Sequence, residues 1–206
     1  MANVQFIEQA DEAAIAAHIG RLLEQNLAGA SRPVAICLPG GSTPFPILAE
    51  LAQLMPDWSG IEVWPGDDRI VPEDHPASNT GKLRALLEPL GARVVALEEG
   101  ASPPHFALVW LGMGADGHIA SLFPNTDPQV GDPVPVRRLT PDPLPPEAPF
   151  DRLTLTIPAL LDSDALMFVI RGGDKRAVFD GAVAGAHDLP VARLLGATPQ
   201  PVTCFT

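Results

Sequence analysis

The segment LVWLGMGADGHIASLFP places Gly112, Gly114 and Gly117 after an apolar run and presents Asp116 and His118 between them and the next apolar residues. An imidazole exchanges protons near neutral pH, so a histidine here can take a proton from water and return one to a leaving oxygen. A histidine capping a short helix is the plainer alternative. Three glycines and an aspartate around His118 favour the chemical role, whereas His18, on an amphipathic helix, has no such setting. The glycines also match G-x-G-x-x-G, the turn of dinucleotide-binding folds. That fingerprint requires a full helix and a second parallel strand ending in an acidic residue about 20 positions on. Here a helix has room only from Gly117 to Phe123 before prolines begin, so no nicotinamide cofactor is expected.

Other segments gather groups that hold anions. In PGGSTP, Gly40 and Gly41 permit a sharp turn, Ser42 and Thr43 bring hydroxyls, and Pro44 suits the first turn of a helix. Amides at such a helix start attract phosphate or carboxylate. A simple strand-to-helix turn with a hydroxyl cap fits the same residues, and both readings stay open. In GDDRIVPEDHPASNTG, Asp67 and Asp68 adjoin Arg69, and Ser78 suits a helix cap. This is either a polar loop with a local ion pair or a place where Arg69 meets an anionic substrate that the aspartates help to position. Only Arg21 and Arg32 precede Arg69 among the basic residues, which favours the second. Arg152 opens RLTLTI, and Lys175 follows ALMFVI through RGGD, where Gly172 and Gly173 can turn amides to an anion and Asp174 suits a helix cap.

The elements that must carry these residues alternate short apolar runs with amphipathic stretches. This pattern predicts an α/β fold with an open, mainly parallel sheet flanked by helices on both faces, Rossmann-like. Strands are expected at VAICL, IEVW, RVVAL, FALVWL, RLTLTI, ALMFVI and VTCF, seven in one continuous sheet. Ile15, Ile19, Leu22 or Leu23, and Leu27 recur at helical spacing, with Asp11 and Glu12 in the first turn and Gly29 after the last. Further helices are expected near Pro44, Ser78, Asp174 and Pro190. Between Pro124 and Pro149 nine prolines in 26 residues exclude regular helix and central strand and leave a long surface loop. Too few residues follow for a second core, so residues 1–206 are read as one domain.

Composition narrows the partners. There are 13 Lys and Arg against 25 Asp and Glu, a net charge of -12, and no basic run exceeds Arg137-Arg138. Nucleic acid is excluded as a partner on that basis. No signal peptide or membrane-spanning run is visible, so a cytoplasmic protein without membrane contact is expected. Cys37 and Cys204 read as buried free thiols, since two cysteines form neither a disulfide framework nor a metal set.

The strings PGGSTP, DDRIVPEDHPASNTG, LGMGADGHIASLFP, RLTLTIPALL and GGDK, in this order from about Val34 to near the C-terminus, resemble the 6-phosphogluconolactonase family. The resemblance implies hydrolysis of 6-phospho-D-glucono-1,5-lactone in the oxidative pentose phosphate pathway, with no metal and no cofactor. It implies His118 as the general acid/base that activates water, with Asp116 beside it. Arg69 and Lys175 would hold the phosphate. Gly40, Gly41 and Ser42 would shape the sugar-phosphate pocket, with Asp68, Gly117 and Arg152 contributing to it. The expected partner is a small phosphorylated sugar lactone, and the expected state a monomer. The family usually has Glu at the second triplet position, where Asp68 stands, a longer stretch between Leu97 and His105, and an aromatic after the asparagine motif, where Thr80 stands.

Two other enzymes fit parts of the pattern. A serine hydrolase would use Ser42, Asp67 or Asp68, and His118, but G-G-S-T-P lacks the last glycine of the nucleophile elbow. A sugar-phosphate isomerase or deaminase would share the sheet and the glycine loop without acting on a lactone. An effector-sensing domain ranks last, because one helix before Val34 leaves no place for a helix-turn-helix.

Overall fold

A computed structural model describes residues 3–144 and 148–206. Seven strands form a fully parallel sheet: β1 (Val4–Ile7), β2 (Val34–Leu38), β3 (Ile61–Pro65), β5 (Arg93–Val94), β6 (Leu108–Leu111), β9 (Leu166–Val169) and β10 (Val202–Phe205). Their order is β1-β10-β9-β6-β2-β3-β5. The central strands VAICL, LVWL and LMFV are apolar throughout and buried at every position, as strands covered on both faces must be.

Alternate residues of these strands enter two separate cores. Ile36, Leu38, Leu108, Trp110, Met167 and Val169 meet α1 (Glu12–Leu27), α2 (Pro44–Leu54) and α3 (Asn79–Leu87) on one face. Cys37, Val109, Leu111 and Phe168 meet α4 (Ile157–Leu161), α5 (Gly173–Val183) and α6 (Pro190–Ala197) on the other. Side chains alternate across a strand, so an unbroken apolar run fills both cores at once. Each fully buried Leu or Ile contributes about 1.5–3 kcal/mol relative to exposure. Asp11 caps α1 by accepting the Ala14 N–H at 2.8 Å, as the acidic first turn leads one to expect. Among the described residues no helix is long and apolar enough to cross a membrane.

Three expectations are corrected. RLTLTI does not join the main sheet. Its first part, β8 (Arg152–Leu155), is the middle strand of a small antiparallel sheet with β4 (Asp67–Arg69) and β7 (Val136–Leu139), in the order β4-β8-β7. Its alternation of polar and apolar residues suits that setting better than a strand apolar on both sides. The seventh place in the main sheet belongs instead to β1 at the edge, parallel to β10. The proline-rich stretch is not wholly loop, because β7 lies within it; as an edge strand it tolerates prolines on either side. Residues 145–147 of that stretch lie outside the described residues. Finally, no helix forms between Gly117 and Phe123. Hydrogen bonds from Gly114 N–H to the His118 carbonyl and from Gly117 N–H to the Gly114 carbonyl, both 3.0 Å, fold the chain back on itself.

Candidate active site

In an open parallel sheet the chain leaves each strand at its carboxyl end, and neighbouring connections diverge where the winding direction reverses. Here β2 leads to β3 on one side, while β6 and β9 lie on the other. The segments leaving β2, β3, β6 and β9 surround a cleft of about 290 Å³ at this end of the sheet. It is lined by Gly40, Gly41 and Ser42 after β2, by Asp67 and Arg69 after β3, by Gly114 and His118 after β6, and by Lys175 after β9. Four separate sequence segments therefore converge on one space, although they lie up to 135 positions apart.

His118 is held from two sides. Its Nδ1 lies 2.6 Å from Asp116 Oδ1, which also accepts the His118 backbone N–H at 3.3 Å. An ionised carboxylate only accepts, so the ring donates through Nδ1–H and its other nitrogen, Nε2, is left as a base. The ring also packs on Phe123, with centroids 4.8 Å apart. Gly114 makes this possible, because a Cβ there would come 2.2 Å from His118 Nδ1 and 2.5 Å from Asp116 Oδ1. A second, more apolar groove runs along the outer side of the ring, lined by Asp116, Phe123, Pro124 and Pro141 to Pro143. His118 thus stands between two openings, and Asp116 reaches it from the outer one.

Two cations, Arg69 and Lys175, line the same cleft. Arg69 donates through Nη1 to the Ala77 carbonyl at 2.9 Å, while its buried Nε has no acceptor among the described residues. Lys175 lies in the first turn of α5, and no salt bridge involves it among the described residues. The N-terminal turn of α2 faces the same space, and the Thr43 side chain does not cap it. The expectation that Asp174 caps α5 is also corrected: Gly172 is the cap residue, no side chain caps this helix, and Asp174 lies within its first turn.

Several expected site residues sit behind the cleft instead. Asp68 turns away from it. Its carboxylate accepts the N–H groups of Arg69, Asn79 and Thr80 at 2.8, 2.6 and 2.9 Å, so it fastens the start of α3 to β4. Ser78 adds the expected cap by accepting the Gly81 N–H at 3.0 Å. Gly117 lies under Leu189, and its carbonyl accepts the Val191 N–H at 3.1 Å, which ties the His118 turn to α6. Arg152 is 3% exposed and donates to the Ala148 carbonyl at 2.8 Å. It stands opposite Arg69 in the small sheet. Burial, and then Arg69, push its guanidinium below its ordinary value, which Asp67 and Asp68 partly offset.

The cleft also contains Asp67, for which sequence reasoning allows a positioning part together with Asp68, and residues to which it assigns no part. Asp67 accepts the Ser121 hydroxyl at 2.5 Å, and its carboxyl is pushed upward mainly by burial, against the pull of Ser121 and of the arginines. Asn79, Trp110, Met113 and Ala120 also line the cleft. Asn79 belongs to a string already singled out, but nothing local shows that its side chain turns inward once Ser78 has capped the helix.

This fold and cleft define an α/β protein with a polar, cation-lined site at the carboxyl ends of its parallel strands. The family model described as glucosamine-6-phosphate isomerases/6-phosphogluconolactonase matches residues 8–100 and 89–203, and the chain belongs to that family. Among curated relatives, the 6-phosphogluconolactonase of Mesorhizobium japonicum is 35% identical over 191 residues, covering 82% of this chain and 80% of the relative. That of Pseudomonas aeruginosa is 34% identical over 206 residues, covering 89% and 86%. A solved 6-phosphogluconolactonase from Shewanella baltica superposes with a TM-score of 0.81 at 25% identity, covering 100% of this chain and 97% of that one.

Proposed function

We propose that the protein hydrolyses 6-phospho-D-glucono-1,5-lactone to 6-phosphogluconate, the lactone step of the oxidative pentose phosphate pathway. The observation that carries this reading is that a carboxylate-held imidazole, Arg69 and Lys175 line one cleft. The relatives named above are 6-phosphogluconolactonases, which supports the same reaction class.

Arg69, Lys175 and the amides of the Gly40–Thr43 turn hold the phosphate, the donor set that suits a dianion. His118 Nε2 removes a proton from a water, whose oxygen attacks the lactone carbonyl carbon. The tetrahedral intermediate collapses with cleavage of the bond to the ring oxygen, and the imidazolium returns its proton to that oxygen, which becomes a hydroxyl. Asp116 keeps the ring in the tautomer that leaves Nε2 bare and stabilises the imidazolium as it forms. An ester carbonyl is reactive enough that a positioned base and water suffice.

A serine nucleophile is disfavoured by the same geometry. Among the described residues no hydrogen bond joins Ser42 to His118, and the Asp67 carboxylate is engaged by Ser121. The test is lactone hydrolysis by the purified chain, measured with and without the 6-phosphate. His118→Ala should lower kcat by about 10²–10⁴-fold, the usual contribution of a general base, while the circular dichroism spectrum stays unchanged. Full activity in that variant would refute the base. Arg69→Ala should raise KM for the phosphorylated lactone and leave the unphosphorylated one nearly unaffected. Turnover of hexosamine or pentose phosphates in place of the lactone would instead favour an isomerase or deaminase.

A further inference from the structure

We infer that Asn79 is a positioning residue that sets two walls of the cleft at once, the Gly40–Gly41 turn and Asp67; the inference rests on the anion-binding half of the reading above. Asn79 opens α3 and is 1% exposed. Its backbone N–H is bound by Asp68, so the residue cannot swing away. Its Nδ2 donates to the Asp67 carbonyl at 2.8 Å and lies 3.5 Å from Asp67 Oδ1. A backbone carbonyl only accepts, so this bond fixes which end of the amide is nitrogen. The oxygen, Oδ1, is buried and has no donor among the described residues.

Gly40 lies directly against that amide. A Cβ at position 40 would come 2.0 Å from Oδ1, 2.3 Å from Cγ and 2.4 Å from Nδ2, so only glycine fits. The backbone N–H groups of Gly40 to Thr43 donate to no backbone acceptor among the described residues. Buried polar groups are almost always paired, and an exception calls for an explanation. Asn79 Oδ1 is such an exception, and it lies against a turn whose residues, half-buried Gly40 and exposed Gly41, Ser42 and Thr43, border the cleft. In the proposed arrangement an anion that draws in the turn's amides also turns one of them toward Oδ1. Through Nδ2 the same side chain holds β4, so turn and carboxylate move as a unit.

Inorganic phosphate is the probe, with binding to the purified full chain followed by calorimetry. Asn79→Ala should weaken phosphate by about two- to a hundredfold, the range of coupling between contacting groups. Asn79→Leu, with as many side-chain heavy atoms in the same branched pattern, should lose as much, which separates the lost hydrogen bond from the lost contacts of a truncation. Gly40→Ala should lower both Tm and phosphate affinity. Adding Asn79→Ala removes the atoms that the new methyl strikes, so the double variant should regain Tm and not affinity. In the unaltered protein, phosphate should shift the side-chain amide proton resonances of Asn79, a readout independent of whether any variant folds. Phosphate affinity in either Asn79 variant within about twofold of the parent, resonances that phosphate leaves in place, or no phosphate binding by the parent each overturns the inference. None of these measurements uses turnover, so a failure of the lactone reaction leaves them decisive.

Discussion

Burial pushes the Asp67 carboxyl above its ordinary range, although Ser121 donates to it and Arg69 and Arg152 stand near. Folding therefore favours its protonated form. In the unfolded chain such a carboxyl titrates near about 3.9. Below that value the group costs the fold nothing. As pH rises from there through the raised folded value, stability is progressively lost, because the buried charge must then be carried. Asp67→Asn keeps an acceptor for Ser121 without the charge. It should raise Tm at pH 7 and lose that advantage toward pH 3, while lowering activity on the phosphorylated lactone. Melting curves across that range check it; an equal Tm gap at both ends would mean that the charge is not the cause. The histidine was legible in the sequence because glycines and an aspartate surround it. Which of Asp67 and Asp68 faces the cleft, and that Asn79 turns inward, was not legible, because only the folded backbone decides which of several adjacent polar side chains faces inward.

At the scale of elements, Asp68 is a joint between β4 and α3. Three backbone N–H groups meet a carboxylate that is 8% exposed, so its loss leaves several buried donors unpaired. Asp68→Ala should cost about 1–3 kcal/mol, the usual range for an unsatisfied buried group, measured by denaturant unfolding. Its effect on KM should follow from displacement of Arg69 rather than from a lost substrate contact. Triplet neighbours thus divide their work: Arg69 faces the cleft and Asp68 fastens the helix. The continuous apolar runs marked the central strands because burial on both faces leaves nothing else to choose. RLTLTI carried the opposite message in its alternation, and β1 was missed because a four-residue edge strand with a glutamine inside it lacks that strong signature. The junctions were harder still, since Asp68 and Arg152 differ from ordinary surface charges only in where the small sheet places them.

Across the whole molecule the two ends of the sheet have different duties. The carboxyl ends gather the cleft, and the amino ends are fastened. At the amino end His105 lies between Asp162 and Asp164, at 2.6 and 2.9 Å, just before β6 and β9. These carboxylates raise its pKa, Asp162 most. A raised histidine pKa means that stability from this clamp is fully present below about 6.5, the unfolded value, and is lost as pH rises through the folded value. His105→Gln should therefore lower Tm at pH 6 and hardly at pH 9. kcat and KM should stay as they are, because the clamp lies at the far end of the strands. A kinetic change would mean that the two ends communicate. The net charge of -12 fits this division, since the acidic groups are spread over the shell while Arg69 and Lys175 are concentrated at the cleft.

Cys37 lies in central β2, and Cys204 in β10, one strand from the edge. Both are free and buried, and burial pushes the Cys204 thiol up to about 12 and that of Cys37 upward as well. Neither is reactive while the sheet is closed. Each is therefore an internal clock: its rate of alkylation counts how often its own strand opens, Cys204 recording departures of the edge strand β1 and Cys37 recording rupture of the sheet itself.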